Sequence, residues 1–135
     1  MTGYSQTPLA KKLGIKDSIS MRVIAEPHEY WDWLAPLPPS VRVVKRLTTQ
    51  PIDFIHAFVK TRSEFESLFL TLKSTLDKDG MLWVSWPKKA SGVATDLDEN
   101  KIRDFGLANG LVDVKVCAVD DTWSGLKFVY RTKDR

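Results

Sequence analysis

Cysteine is almost absent from this chain of 135 residues, and the lone Cys117 excludes an internal disulfide framework. Histidine is nearly as scarce, with two copies, and no Cys/His group has the spacing of a zinc site. No apolar run approaches membrane-spanning length, and Met1–Gln6 holds no apolar signal core. A reduced, cytoplasmic setting without membrane association is therefore the expectation. Neither sign of charge dominates: 20 Lys and Arg against 17 Asp and Glu leave +3, too small an excess to argue for nucleic-acid binding. Glycine is missing from the whole stretch between Ile15 and Asp79.

What is present is ordinary for a folded protein, with 43% apolar and 27% charged residues. The length suits one domain over 1–135, able to bury roughly two thirds of its unfolded surface. Prolines fall at breaks between periodic segments or at the start of the first helix. No repeat, low-complexity tract or linker interrupts the chain.

Thr7-Pro8-Leu9-Ala10-Lys11-Lys12-Leu13-Gly14 predicts a short helix, with Thr7 as N-cap, Pro8 at the first helical position and Gly14 as a left-handed stop. Met21–Ala25 reads as a strand and His28–Leu34 as two helical turns, halted by Pro36, Pro38 and Pro39. Val41–Leu47 reads as a strand near a sheet edge, and Asp53–Val59 as a central parallel strand, being almost continuously apolar. Thr61–Leu76 predicts the clearest helix: Phe65, Leu68, Phe69, Leu72 and Leu76 recur at 3–4 spacing, and Thr61 with Glu64 makes a capping box. Asp79-Gly80 turns the chain into strand Met81–Trp86. Thr95 with Asp98 repeats the capping-box spacing before a helix ending near Asn109-Gly110. In Leu111–Val119, alternation puts Val112, Val114, Val116 and Ala118 on one face and Asp113, Lys115 and Cys117 on the other. Asp120–Gly125 reads as a polar turn before a last strand with Leu126, Phe128 and Tyr130.

Strands alternating with helices, closed by a terminal hairpin, predict an α/β three-layer Rossmann-like sandwich. The expected sheet is mostly parallel, in the order 2-1-3-4-6-5, with the last strand antiparallel.

Loops at the carboxyl ends of parallel strands share one edge, which would gather Glu26–His28, Thr48–Gln50, Lys60–Arg62, Trp86–Asp96 and the Asp120–Ser124 bend. There the sequence predicts a site for an anionic or phosphorylated small molecule. Lys88 and Lys89 would supply charge, Ser91 and Thr95 hydroxyls, and Gly92 close backbone approach before a helix dipole. Trp86 and Trp123 would wall the pocket, with Asp120 and Ser124 at its rim. The bland alternative is a solvated crossover loop whose Thr95 only caps. The Walker spacing is absent. Asp96, Asp98, Glu99, Asp120, Asp121 and His28 read as helix-start and turn residues rather than a metal set, since no ligand spacing recurs. His56, inside an apolar strand, reads as a hydrogen-bonded core residue, and Cys117 as structural. No cofactor is indicated.

Two resemblances bear on these expectations. The blocks Thr7–Ile15, Trp83–Asp96 and Gly110–Ala118, with Trp123-Ser124-Gly125-Leu126-Lys127, resemble a family of small bacterial proteins known only as a domain of unknown function. That resemblance implies a compact bacterial cytoplasmic protein and no set activity. The order of elements is also similar to a shortened class I methyltransferase fold. That family implies S-adenosylmethionine bound by a glycine-rich turn after the first strand and a carboxylate after the second. Here the first requirement meets a segment without glycine and the second meets Val44-Lys45-Arg46-Leu47. Ordinary methyl transfer is therefore not expected. Two further classes stay open: a divergent transferase or hydrolase with Asp120 or His28 as general base, and a ligand-free interaction module using an edge strand or Trp31–Pro39.

Overall fold

The computed structural model describes residues 8–46 and 50–135. Its order is α1 (Leu9–Leu13), β1 (Ser20–Ile24), α2 (Tyr30–Leu34), β2 (Arg42–Val43), β3 (Ile52–Phe58), α3 (Arg62–Thr75), β4 (Leu76–Pro87), α4 (Glu99–Ala108), β5 (Leu111–Ala118) and β6 (Trp123–Tyr130). Six strands form one sheet in the order β2-β1-β3-β4-β6-β5. The first four run parallel, and β6 is antiparallel to both β4 and β5. Fold class and strand order are those expected from the sequence.

Period-two alternation on the central strands feeds two cores, one on each face of the sheet. Ile55, Ala57, Leu82 and Val84 meet Phe65, Phe69 and Leu72 of α3 and Ile102 of α4. Phe54, Phe58 and Trp83 meet Leu13 of α1 and Tyr30 and Leu34 of α2. The Trp83 indole N–H donates to the Leu13 carbonyl at 2.8 Å, which satisfies a buried donor and ties α1 to the sheet. Trp31 and Trp33 pack partly buried against this second core. The α3 capping box forms: the Glu64 amide donates to Thr61 Oγ1, and Glu64 Oε1 accepts from the Thr61 amide at 3.0 Å.

Four local expectations need correcting. The α4 N-cap is Asp98, whose carboxylate accepts from the Lys101 amide, and not Thr95. The Thr95 hydroxyl instead donates to the Lys60 carbonyl at 2.6 Å and accepts from the Leu97 amide. β2 holds two residues only, and Thr48 and Thr49 of the expected rim, like Thr7, lie outside the described residues. β4 begins at Leu76, and its register against β3 shifts around Asp77–Gly80. A bulge between Asp113 and Lys115 breaks the β5 alternation, so Asp113 pairs with Arg103 of α4 while Lys115 reaches the Lys12 carbonyl on the α1 side.

Candidate functional site

The expected edge does assemble, but most of its length is laced shut. Beyond β4, Lys89–Ser91 makes one 3-10 turn, ended by Gly92 at φ 78°. The Lys88 backbone amide donates to the Thr122 carbonyl at 2.7 Å, and its ammonium donates to the Asp120 carbonyl, also at 2.7 Å. The lysine-bearing loop and the aspartate bend therefore meet, as expected. They meet by consuming each other's polar groups. Ser91 Oγ donates to the Lys88 carbonyl at 2.7 Å and accepts from the Val93 amide. Asp120 accepts from the amides of Thr122 and Trp123 at 2.9 and 2.7 Å, a turn-capping role. Toward β3, the Arg62 amide donates to Asp96 at 2.7 Å beside the Thr95–Lys60 bond. Lys89 stays exposed and Gly92 has open space around it.

Trp86 and Trp123 do not wall a common pocket. Trp86 pairs with Ser124 across β4 and β6, so the neighbouring Trp123 must point through the opposite face. Trp86 is buried on the α3/α4 face. Trp123 is buried on the other, its ring edge-on to Phe58 at 5.0 Å. The half-buried Ser124 lies on β6 between Trp86 and Ala118 in the ladder.

A cavity of about 650 Å³ opens further along the same edge, where β1 and β2 end. Val23, Glu26, Trp31, Leu37, Val43, Val44 and Lys45 line it, and none of the nine expected site residues does. The chain leaves β1 through Ala25 in the left-handed region at φ 57°. It thereby sends Glu26 over the strand end, where its carboxylate accepts from the Trp31 indole N–H at 3.2 Å. Trp31 in turn stands edge-on to buried Tyr30, with ring centroids 5.1 Å apart. Burial, and secondarily the Glu26 charge, push the Tyr30 phenol above its ordinary range, so it stays protonated. Among the described residues, the walls thus offer valine and leucine side chains, the Trp31 indole, the Glu26 carboxylate and the Lys45 ammonium. The sequence carried the signal for these residues in the rule that ligands gather at strand carboxyl ends.

Behind this edge lies a sealed polar chain. Tyr30 Oη is 3.0 Å from His56 Nδ1, and His56 Nε2 is 2.7 Å from Ser85 Oγ. All three residues are buried. Burial lowers the His56 pKa to about 3, so the ring is neutral near pH 7. His56 is the hydrogen-bonded core residue expected, closed off from solvent. Burial also pushes the Cys117 thiol up, away from the thiolate a nucleophile needs. Among the described residues, no group of three His, Cys, Asp or Glu side chains is placed to hold a metal ion, and no helix is long and apolar enough to cross a membrane.

No protein-family model and no curated protein sequence matches the chain. Solved structures do match it in fold. A precorrin-6y C5,15-methyltransferase from Geobacter metallireducens superposes with a TM-score of 0.64 at 11% identity, covering 91% of this chain and 86% of that one. A SAM-dependent methyltransferase from Aquifex aeolicus gives 0.63 at 12% identity, covering 89% and 86%. Magnesium protoporphyrin IX methyltransferase from Synechocystis, solved with bound SAM, gives 0.59 at 13% identity, covering 91% and 74%. The chain therefore has the Rossmann-like fold of SAM-dependent methyltransferases.

Proposed function

We propose that this protein binds a small, partly planar ligand bearing an acidic group in the cavity at the ends of β1 and β2. One observation carries the reading: a hollow of about 650 Å³ stands at the carboxyl edge over the ends of β1 and β2, next to the crevice between β1 and β3 where the strand order reverses. Open α/β sheets place ligands at such reversals of strand order, and the volume suits a metabolite-sized molecule. Lys45 would take the ligand's acidic or phosphorylated group. The free acceptor capacity of Glu26 would take an amino or hydroxyl group, and Trp31 would lie against the planar part. The anionic ligand suggested by the sequence is thus moved from the Lys88 loop, where Lys88, Ser91 and Thr95 each already donate to a backbone carbonyl, to Lys45.

A second reading, a divergent methyltransferase, is favoured by the fold likeness alone. Two features of this edge oppose it. Ala25 stands at the turn after β1 where the family uses glycine, and Arg42, Lys45 and Arg46 surround the end of β2 where the family uses a carboxylate. On that basis the molecule keeps the architecture and has altered the ligand.

Native mass spectrometry of freshly purified protein, followed by a thermal-shift screen of metabolite-sized acids, tests the first reading. The expected outcome is a ligand that stabilises the native chain but not the Lys45→Ala or Trp31→Ala variants. Calorimetry with S-adenosylmethionine should give negligible heat. Micromolar binding of that cofactor, abolished by Glu26→Ala, would instead favour the second reading. Ligand response unaltered in Lys45→Ala would remove the cavity from consideration.

A further inference from the structure

The sheet face that carries α1 holds a charge cluster used by neither the cavity nor the laced rim. Three lysines meet about the end of α1, Lys12 in its last turn, Lys115 on β5 and Lys127 on β6, and Lys16 follows three residues beyond that helix. Lys115 Nζ donates to the Lys12 carbonyl at 2.9 Å, and Lys12 Nζ donates to the Ala118 carbonyl at 3.3 Å. Lys127 Nζ lies 3.9 Å from the point where a Cβ on Gly14 would stand, against the end of α1.

A helix C-terminus attracts cations, which accounts for Lys115. It does not account for Lys127. Among the described residues, the ion pairs are Arg62–Glu66, Arg103–Glu99 and Arg103–Asp113, so all four lysines lack a carboxylate partner. The half-buried Lys127 ammonium makes no side-chain hydrogen bond to a described residue. Burial first, then Lys115 and Lys16, lower its pKa, and Lys12 and Lys115 both act on the neighbouring Cys117 thiol. Like charges gathered without counter-charge raise the free energy of the unliganded protein, and a bound anion removes that cost.

We infer that this cluster binds a compact polyanion of the condensed-phosphate class, such as an inorganic polyphosphate or the phosphate chain of a nucleotide. Lys12, Lys115 and Lys127 gathered about the end of α1, with Lys16 just beyond it in the chain, match several charges carried by one short chain. A nucleic-acid strand calls for a stripe of cations and stacking platforms. Among the described residues, the exposed large apolar side chains are Val43, Leu70, Leu107, Val114 and Val116, none aromatic. The site is independent of the cavity at β1 and β2, with which it shares no residue.

The test is a calorimetric titration of inorganic triphosphate into the full chain at low salt, where such attraction is least screened. Wild-type protein should bind with a Kd on the order of 10 µM. Lys127→Met should raise that Kd at least about tenfold without lowering the melting point of the unliganded protein, because an unpaired ammonium is removed. The exposed Lys115→Met should weaken binding as well, separating loss of charge from misfolding. Lys45→Ala should leave triphosphate binding unaltered, so failure here and failure of the cavity reading are told apart. Equal affinity for ATP would show that the phosphate chain is read, and much tighter ATP binding would name a nucleotide as the source. Absence of heat with triphosphate, an unchanged Kd in Lys127→Met, or tighter binding of a single-stranded oligonucleotide with a steep salt dependence would overturn the inference.

Discussion

The Lys88 ammonium donates a 2.7 Å hydrogen bond to the main-chain carbonyl of Asp120, not to its carboxylate. The carboxylate is engaged elsewhere, with the Thr122 and Trp123 amides. Lys88 is therefore a brace between the loop after β4 and the turn before β6. Replacing it with Met should cost about 1 kcal/mol, allowing for its partial exposure, and lower the melting temperature by roughly 4 °C. Lys89→Ala, at an exposed position, should leave the melting curve where it was. Differential scanning calorimetry of the two variants checks this. Equal and negligible shifts would mean that the brace carries no load.

The Tyr30–His56–Ser85 chain sets an acid limit on stability. The folded His56 pKa, about 3, lies below the ordinary value of 6.5, so the unfolded chain takes up a proton that the folded chain refuses. This contribution is complete above pH 6.5 and drains away as the pH falls toward 3. Between pH 7 and pH 4.5 it should amount to roughly 2–3 kcal/mol. His56→Gln keeps a donor and an acceptor but cannot titrate in this range. Urea denaturation at the two pH values should show a gap smaller by about that amount in the variant. An unchanged gap would assign the acid sensitivity to other groups.

Ala25 holds the left-handed conformation at φ 57° where the chain leaves β1. An L-residue with a Cβ is disfavoured there, and glycine is not. Ala25→Gly should stabilise the protein by about 0.5–1 kcal/mol, seen as a rise of roughly 2–4 °C in melting temperature. A fall would mean that the alanine methyl makes contacts worth more than the strain.

Gly106 behaves in the opposite sense. Alanine normally improves a helix interior, yet a Cβ here would stand 2.1 Å from Cε1 of Phe128. That ring is fully buried and edge-on to Phe69 at 5.7 Å, so it has little room to yield. Gly106→Ala should destabilise by about 1–3 kcal/mol, measured as a lower urea midpoint at constant slope. A neutral or stabilising effect would show that α4 can lift from the sheet without cost.

Periodicity made the fold readable before any coordinates. The 3–4 spacing of Phe65, Phe69 and Leu72 and the near-continuous apolar run Asp53–Val59, found as strand Ile52–Phe58, are local statements about which face is buried, and local chemistry enforces them. The Thr61 cap was legible for the same reason. Thr95 was not, because its hydroxyl had a second partner 35 residues away in the Lys60 carbonyl. The β5 alternation failed at a bulge where Arg103 draws Asp113 to one face while the Lys12 carbonyl draws Lys115 to the other.

The candidate sites divide along the same line. Lys88, Ser91, Thr95 and Asp120 could be picked out by residue type and loop position, and their meeting at one edge followed from strand order. Whether their polar groups remained available did not: Lys88 and Thr95 found backbone acceptors only once distant loops came together, while Ser91 and Asp120 were taken up within their own turns. The cavity at β1 and β2 and the lysine cluster against α1 are likewise products of apposition. Lys12 and Lys115 are 103 residues apart in the chain and a hydrogen bond apart in space. Apolar pattern and turn chemistry act within a few residues and so are written in the chain. Hydrogen-bond competition, void space and like-charge crowding exist only between segments, and packing alone sets them.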